Sequence, residues 1–200
     1  MKIGYLKNLG RYELEKAADK WQTLYKDEKV SLEPVSYDEI EDKIQNNELD
    51  AVLVNSRHII YQQLATYPVD EVALVALVQA RNFNKYQQTV EVSDLKNLPC
   101  IMVAGVEEKK SEYHYLKDIL QVDSDLLAVE TLGEGVLMVE SGSGYLIMNE
   151  KTAAHIDDDQ VQKLFLLRAG KQLTEEYAFI AKPEDQRVEE LRKILKEIIN

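Results

Sequence analysis

The stretch Asp50-Ala51-Val52-Leu53-Val54 leads from one acidic residue into an unbroken apolar run, and it decides how the first part of the chain folds. A short strand with apolar side chains on both faces is typical of a parallel sheet that is covered on both sides. Before it, residues 2–6 and 30–33 have the pattern of strands. Apolar side chains three and four residues apart predict helices over residues 11–27 and 37–47. This alternation predicts a parallel sheet with right-handed crossovers.

The same order of elements returns in the second half of the chain. The longest apolar run, residues 71–78, predicts a strand that crosses between two lobes, and residues 81–90 are predicted to be a loop. Further strands are predicted at residues 100–104, 126–130, 145–148, 161–167 and 176–181, with helices at 107–120, at 131–141 and after Pro183. The predicted fold class is α/β, with two Rossmann-like lobes joined by crossover strands. Residues 1–78 and 161–200 form the first lobe, and residues 79–160 form the second.

Composition excludes several classes of function. The chain has 24 Lys and Arg against 36 Asp and Glu, a net charge of −12. That charge argues against a nucleic-acid grip by this chain alone and against a polybasic membrane surface. The single cysteine, Cys100, excludes an internal disulfide and lies in an apolar stretch that predicts a buried thiol. Because no signal peptide or 18-residue apolar run is present, we expect a soluble, cytoplasmic protein.

The predicted ligand site lies at the ends of the parallel strands. Small ligands bind at the carboxyl ends of such strands, so we expect the site in a cleft between the lobes. Helix N-termini there favour an anion, Gly105 allows close backbone approach, and Lys7 and Arg57 could bind a carboxylate. As an alternative, Ser36 and Thr131 only cap helices while Lys7 and Arg57 are solvated. The candidate residues are Lys7, Asn8, Leu9, Ser36, Asn55, Ser56, Arg57, Ala104, Gly105, Val106, Glu130 and Thr131.

No pattern of catalytic or metal-binding residues is visible in the sequence. His58, His114 and His155 share no ligand spacing, and the acidic run at residues 157–159 lacks the spacing of a calcium loop. The glycines at 142 and 144 do not form a phosphate-binding motif; Gly142 instead predicts a left-handed helix end. We therefore expect no catalytic residue, no metal and no cofactor, and a protein that is not an enzyme.

Four segments, in order, resemble one protein family. They are Glu48-Leu49-Asp50-Ala51-Val52-Leu53, the run from Val92 to Ile101, the run Val139-Glu140-Ser141-Gly142-Ser143-Gly144-Tyr145-Leu146-Ile147, and the closing strand and amphipathic helix. Together they are similar to LysR-type transcriptional regulators. The resemblance implies the effector-binding domain of such a regulator, with a type 2 periplasmic-binding-protein fold. Family members carry a DNA-binding helix-turn-helix ahead of this domain, and it is absent from this chain, so DNA contact is expected only through that missing domain.

The resemblance also implies a homodimer. Residues 11–27 and 30–35 of one chain would lie against residues 107–120 and 126–130 of the other. Tyrosine and tryptophan suit interfaces, and Tyr12, Trp21, Tyr25, Tyr113 and Tyr115 supply them on these helices, although they could instead pack inward. Two departures from the family pattern leave the effector open. The loop after the first strand lacks the usual hydroxyl residue, and Asn149 replaces a frequent proline.

These observations favour a ligand sensor. A small-molecule effector, an anionic or amino-acid-like metabolite, would bind between the lobes and shift their populations, and the dimer would pass the shift to the DNA-binding domains. Two alternatives remain. A transport-type solute-binding protein of the same fold predicts an export leader or lipid-anchor cysteine, and an enzyme on this fold predicts a cluster of titrating or nucleophilic residues in the cleft.

Overall fold

The computed structural model describes residues 1–6, 9–55, 61, 63–106, 108–156 and 159–200. These residues form two compact units: unit 1 comprises residues 1–71 and 175–200, and unit 2 comprises residues 72–174. The chain thus crosses between units at 71/72 and 174/175, whereas the sequence analysis divided the lobes at 78/79 and 160/161. The difference arises because the strand that starts at Val161 pairs with residues 75–79 and therefore belongs to unit 2.

The strands and helices follow the order expected of two α/β units. The strands are β1 (Lys2–Leu6), β2 (Ser31–Val35), β3 (Ala51–Asn55), β4 (Ala65–Gln79), β5 (Thr89–Glu91), β6 (Cys100–Val103), β7 (Leu126–Val129), β8 (Tyr145–Asn149), β9 (Val161–Arg168), β10 (Lys171–Gln172) and β11 (Thr174–Ala181). The helices are α1 (Arg11–Leu24), α2 (Ile40–Gln45), α3 (Lys109–His114), α4 (Leu132–Glu140), α5 (Glu150–Ala154) and α6 (Gln186–Ile199).

In unit 1 the sheet order is β2-β1-β3-β11. β1 runs parallel to both β2 and β3, which confirms the parallel sheet predicted from the apolar run at residues 50–54. β11 is antiparallel to β3, with Tyr177 opposite Asn55 and Ala181 opposite Ala51. Every residue of β3 is buried, as its uninterrupted apolar sequence predicts.

Two helices cover unit 1 through the faces that their apolar spacing predicts. α1 buries Leu14, Ala17 and Trp21, at intervals of three and four residues, and it packs against α6. α6 buries Val188, Leu191 and Leu195 among others, and Asp185 caps its first turn through the backbone N–H groups of residues 187 and 188. The predicted helix at residues 37–47 is present as a short 3₁₀ turn, Tyr37–Glu39, followed by α2.

In unit 2 the strands follow the order β4-β8-β6-β7. β6 is parallel to β7 and β8, while β4 is antiparallel to β8 and β9. Alternate residues of β4 enter two different apolar clusters: Leu74 and Ala76 pack in one, and Val75 and Leu77 in the other. Since successive side chains of a strand point to opposite faces, this sheet is covered on both sides.

The structure differs from several predictions made from the sequence. Trp21 and Tyr115 were counted as interface aromatics, but both are buried within their own units. The predicted loop at residues 81–90 ends in β5, which pairs with β9. The predicted helix at 107–120 continues from α3 as a π-helical turn, Tyr115–Ile119.

The predicted left-handed end of α4 at Gly142 is confirmed, with φ at 77°.

Candidate functional site

Ser36 follows β2 and is engaged in capping the turn that leads to α2. Its hydroxyl and its backbone N–H both donate to Oε2 of Glu39, at 2.6 and 2.9 Å. These bonds hold the pKa of Glu39 below its usual value, because they stabilise the ionised carboxylate. The structure therefore supports the helix-cap alternative for Ser36, whose N–H is already used by the chain's own carboxylate.

Asn55 ends β3 and lies in a buried polar cluster. Its side-chain Oδ1 accepts a hydrogen bond from the hydroxyl of Tyr37, and its Nδ2 donates to Oε2 of Glu175 at 2.9 Å. Asn55 is 4 % exposed and Glu175 is 9 % exposed. A carboxylate and an amide buried together are stable only when they satisfy one another, so this cluster has a defined geometry.

Ala104, Gly105 and Val106 follow β6. The N–H of Ala104 donates to the carbonyl of Val129, which extends the pairing of β6 with β7. The N–H of Gly105 donates to Oε2 of Glu108 at 3.1 Å. A Cβ at position 105 would lie 3.3 Å from the same oxygen, so glycine suits this close approach. Val106 is exposed.

Glu130 and Thr131 follow β7 and begin α4. Both backbone N–H groups donate to Oε2 of Glu134, each at 3.1 Å, and the N–H of Glu134 donates to the Thr131 hydroxyl. This reciprocal arrangement is a capping box, so Thr131 caps the helix as the alternative interpretation stated. The helix lies close to the sheet, because a Cβ on Gly135 would come within 2.7 Å of Leu146.

The ends of β2, β6 and β7 share one feature. At each of them, a glutamate of the following turn already accepts hydrogen bonds from backbone N–H groups that were expected to hold an anion. The hydrogen bond from Glu130 to Glu134 is exposed to solvent, whereas Asn55 and Glu175 are buried. Leu9, another predicted contact, is buried and its N–H donates to the carbonyl of Leu6. Lys7, Asn8, Ser56 and Arg57 lie outside the described residues, and the predicted position of a ligand between the lobes stays a prediction.

Glu175 is the residue of this region that sequence reasoning did not find. It lies 120 residues from Asn55 in the chain. Because Tyr177 is opposite Asn55 in the β3–β11 pairing, Glu175, two residues earlier, lies on the same face of the sheet. Two glutamates precede the apolar part of β11, and only the register shows which of them faces Asn55.

Cys100 and His114 lie in contrasting surroundings. The Cys100 thiol is buried, and loss of solvation raises its pKa to about 12, so it stays protonated at neutral pH. His114 pairs with Asp118 at 2.5 Å on an exposed helical face. Within the described ranges, no group of three metal-ligating side chains is present. No helix among those residues is long and apolar enough to cross a membrane.

Comparison with protein families gives one match that spans nearly the whole chain. Residues 1–199 match the family model described as the LysR substrate binding domain. A search of curated proteins finds no match for this sequence.

Solved structures support the same fold. A sulfate-bound mutant of the OxyR2 regulatory domain from Vibrio vulnificus has a TM-score of 0.79 at 13% identity, covering 99% of this chain and 95% of that one. The reduced OxyR regulatory domain from Pseudomonas aeruginosa has a TM-score of 0.76 at 15% identity, covering 100% and 96%. Full-length CbnR in complex with its target DNA has a TM-score of 0.75 at 15% identity, covering 100% and 68%. The two-unit α/β architecture is therefore that of LysR regulatory domains, the type 2 periplasmic-binding-protein fold.

Proposed function

The chain belongs to the LysR substrate binding domain family, whose members are the effector-binding domains of LysR-type transcriptional regulators, and we propose that its effector binds at the carboxyl ends of the parallel strands. The family match over residues 1–199 is the observation that carries this proposal. The contact residues are those predicted from the sequence, with Asn55, Gly105 and Thr131 at their described strand ends. We assign the domain no catalytic role and a cytoplasmic location.

The effector is a small molecule, and two chemical forms follow from the sequence: a plain anion or an amino-acid-like metabolite. An anion would have to displace the carboxylates of Glu108 and Glu134 from the backbone N–H groups that they occupy. An ammonium group is attracted to the same carboxylates, so the amino-acid-like form is favoured. The sulfate-bound OxyR2 regulatory domain is the comparison that favours the anion.

A thermal-shift screen tests this proposal. The probes are the twenty protein L-amino acids, succinate, glutarate and inorganic sulfate, because these separate the two chemical forms. We expect at least one amino acid to raise the melting temperature, since a ligand that binds only the folded state stabilises it. Arg57→Ala and Thr131→Ala should then lose that rise, measured against each variant's own ligand-free melting temperature because Thr131 also caps a helix.

A matched control for this screen is Gly133→Ala, which leaves the N–H groups of residues 130 and 131 unchanged and has open space around the added methyl group. This variant should keep the ligand-induced rise. Full retention of the rise in both Arg57→Ala and Thr131→Ala contradicts the proposed site. A rise with sulfate but with no amino acid contradicts the amino-acid-like form.

The regulator acts on DNA through a part outside this domain. CbnR is the comparison that was solved full-length with its target DNA, and this chain covers 68% of it. The net charge of −12 opposes direct phosphate binding by the domain itself. Effector binding would change DNA binding only through different affinities for two arrangements of the domain.

We also propose that the domain forms a homodimer, alone or within a higher homo-oligomer, through the surfaces that the family resemblance implies. In unit 1, Tyr12 near the start of α1 is 49 % exposed, and Leu24 and Tyr25 at the end of the same helix are also exposed. In unit 2, Tyr113 of α3 is 54 % exposed and Leu127 lies on the outer strand β7. Exposed aromatic and aliphatic side chains of this kind are typical of interface cores.

Sedimentation velocity at micromolar concentration tests the dimer. We expect Leu24→Glu and Tyr113→Glu to weaken association at least tenfold, because each would bury a charge in an apolar contact. Leu137→Glu on α4 is the matched control, since Leu137 is 64 % exposed and lies outside the proposed surface. A wild-type monomer, or an equal effect of Leu137→Glu, contradicts the proposed interface.

A further inference from the structure

The buried cluster at the end of β3 fixes the orientation of the Asn55 amide. The amide of Asn55 has two different ends, an oxygen that only accepts and a nitrogen that only donates. An ionised carboxylate only accepts, so Glu175 requires the nitrogen end of Asn55 to face it. The hydroxyl of Tyr37 can donate or accept, so it adapts to whichever end it receives.

The two partners of Asn55 therefore have different roles. Glu175 selects one of the two amide orientations, and Tyr37 satisfies the oxygen end that results. A hydrogen bond to a charged group is about twice as strong as one between neutral groups, which makes the selection strong. These two bonds to described residues use one N–H and one oxygen lone pair of the amide, and an amide can form further hydrogen bonds through its second N–H and second lone pair.

We propose that Glu175 is a positioning residue that fixes the orientation of the Asn55 amide and thereby sets which hydrogen-bonding group of the effector is accepted. This inference rests on the proposed function, because Asn55 is one of the proposed effector contacts. A fixed amide discriminates between a carboxylate, which only accepts, and a carboxamide, which has both ends. The discrimination is lost when the amide can turn over.

The location of Glu175 gives this role a second consequence. Glu175 is the first residue of unit 1 after the chain returns from unit 2. On the unit 2 side of the same crossing, Nε2 of Gln172 donates to the carbonyls of Leu74 and Leu173, at 3.0 and 2.8 Å. One hydrogen bond thus joins Asn55 to the residue at which the chain re-enters unit 1.

The test compares Glu175→Gln with Tyr37→Phe in the 200-residue chain. Glutamine keeps the size of the side chain but can accept or donate, so it no longer selects an orientation. Phenylalanine removes the Tyr37 hydroxyl but leaves Glu175 to orient the amide. Glu175→Gln should let the Asn55 amide take both orientations, with little change in the melting temperature. Tyr37→Phe should lower the melting temperature, while the amide keeps its one orientation.

Two measurements decide the outcome. In ¹H–¹⁵N spectra without ligand, we expect one Asn55 side-chain resonance pair in the wild type and a shifted or doubled pair in Glu175→Gln. Calorimetric titration then uses L-glutamate with L-glutamine and L-aspartate with L-asparagine. The wild type should discriminate at least tenfold within one of these pairs, and Glu175→Gln should reduce that ratio to about threefold or less.

The outcomes separate the inference from the function on which it rests. Unchanged Asn55 resonances or an unchanged affinity ratio in Glu175→Gln overturns the positioning role, while binding by the wild type leaves the proposed function intact. Wild-type binding without discrimination within either pair also overturns it. If none of the four amino acids binds while sulfate does, both the amino-acid-like form of the proposed function and the selection by Asn55 are overturned, although the spectra still report the amide orientation.

Discussion

The end of β3 in unit 1 and the ends of β6 and β7 in unit 2 satisfy their polar groups in different ways. At β3, the buried side chains of Asn55 and Glu175 bond to each other, and the partly buried Tyr37 bonds to Asn55. After β6 and β7, backbone N–H groups are satisfied by the nearby glutamates Glu108 and Glu134. The buried cluster depends on distant parts of the chain, whereas the unit 2 contacts are local and partly solvated.

This difference indicates how each region would respond to an effector. A local carboxylate at a helix start can move aside when a ligand arrives, because water and the ligand replace its bonds. A buried amide between two side chains cannot move without leaving a polar group unsatisfied. The unit 1 cluster is therefore suited to selecting the ligand, and the unit 2 junctions are suited to adapting to it.

The largest expected effect comes from the buried side of the comparison. Asn55→Ala removes the acceptor of the Tyr37 hydroxyl and the donor to Glu175, so the free energy of unfolding should fall by about 3 kcal/mol. Urea unfolding at pH 7 measures it. A loss of unfolding free energy below about 1 kcal/mol would mean that the Asn55 cluster stabilises the fold no more than a local helix cap does. That result would contradict the proposed difference between the two regions.

A smaller effect is expected from the local cap in unit 2. Thr131→Ala removes the side-chain acceptor of the Glu134 N–H and should cost about 1 kcal/mol of unfolding free energy. Gly133→Ala in the first turn of the same helix is the control and should increase stability by about 0.5 kcal/mol, because alanine loses less backbone entropy than glycine on folding. Equal losses in both variants would mean that the helix tolerates no change here and that capping is not the cause.

The smallest effect concerns Glu39 and depends on pH. Since folding lowers the pKa of Glu39 below its ordinary value of 4.5, its contribution is complete above that value and is lost as the pH falls through the lower folded pKa. Glu39→Gln should thus be less stable than the wild type at pH 7, by about 0.3 kcal/mol because the side chain is partly exposed. The difference should shrink below pH 4.5, and a constant difference across urea titrations from pH 7 to pH 3 would contradict this origin.

The sequence predicted those parts of the fold that depend on local pattern. The apolar run after Asp50 gave the central strand of unit 1, and the left-handed glycine at 142 gave the end of α4. The position of Asn55 at the end of this strand also predicted it as an effector contact. The sequence could not predict the role of Glu175, because that role depends on the antiparallel register that places Tyr177 opposite Asn55.

The sequence also left one choice open, and local geometry provides evidence for one of its two sides. Ser36 and Thr131 could have been effector contacts or helix caps, since the same residue types serve both purposes. The bonds to Glu39 and Glu134 show that both residues act as caps, and a contact of either residue with the effector stays a prediction. Both segments have a glutamate three residues after the hydroxyl residue, which is the sequence pattern of a capping box and therefore favours the cap.

The most direct test of the account is to map an effector onto the chain by ¹H–¹⁵N spectroscopy. The wild-type domain would be titrated with the amino acid that raises its melting temperature most. The account predicts that the largest shifts occur at the strand ends, at the Asn55 side chain and the backbone N–H groups of Gly105 and Thr131. Saturable shifts confined to α6 or to the outer faces of α1 and α3, with the strand ends unchanged, would contradict it.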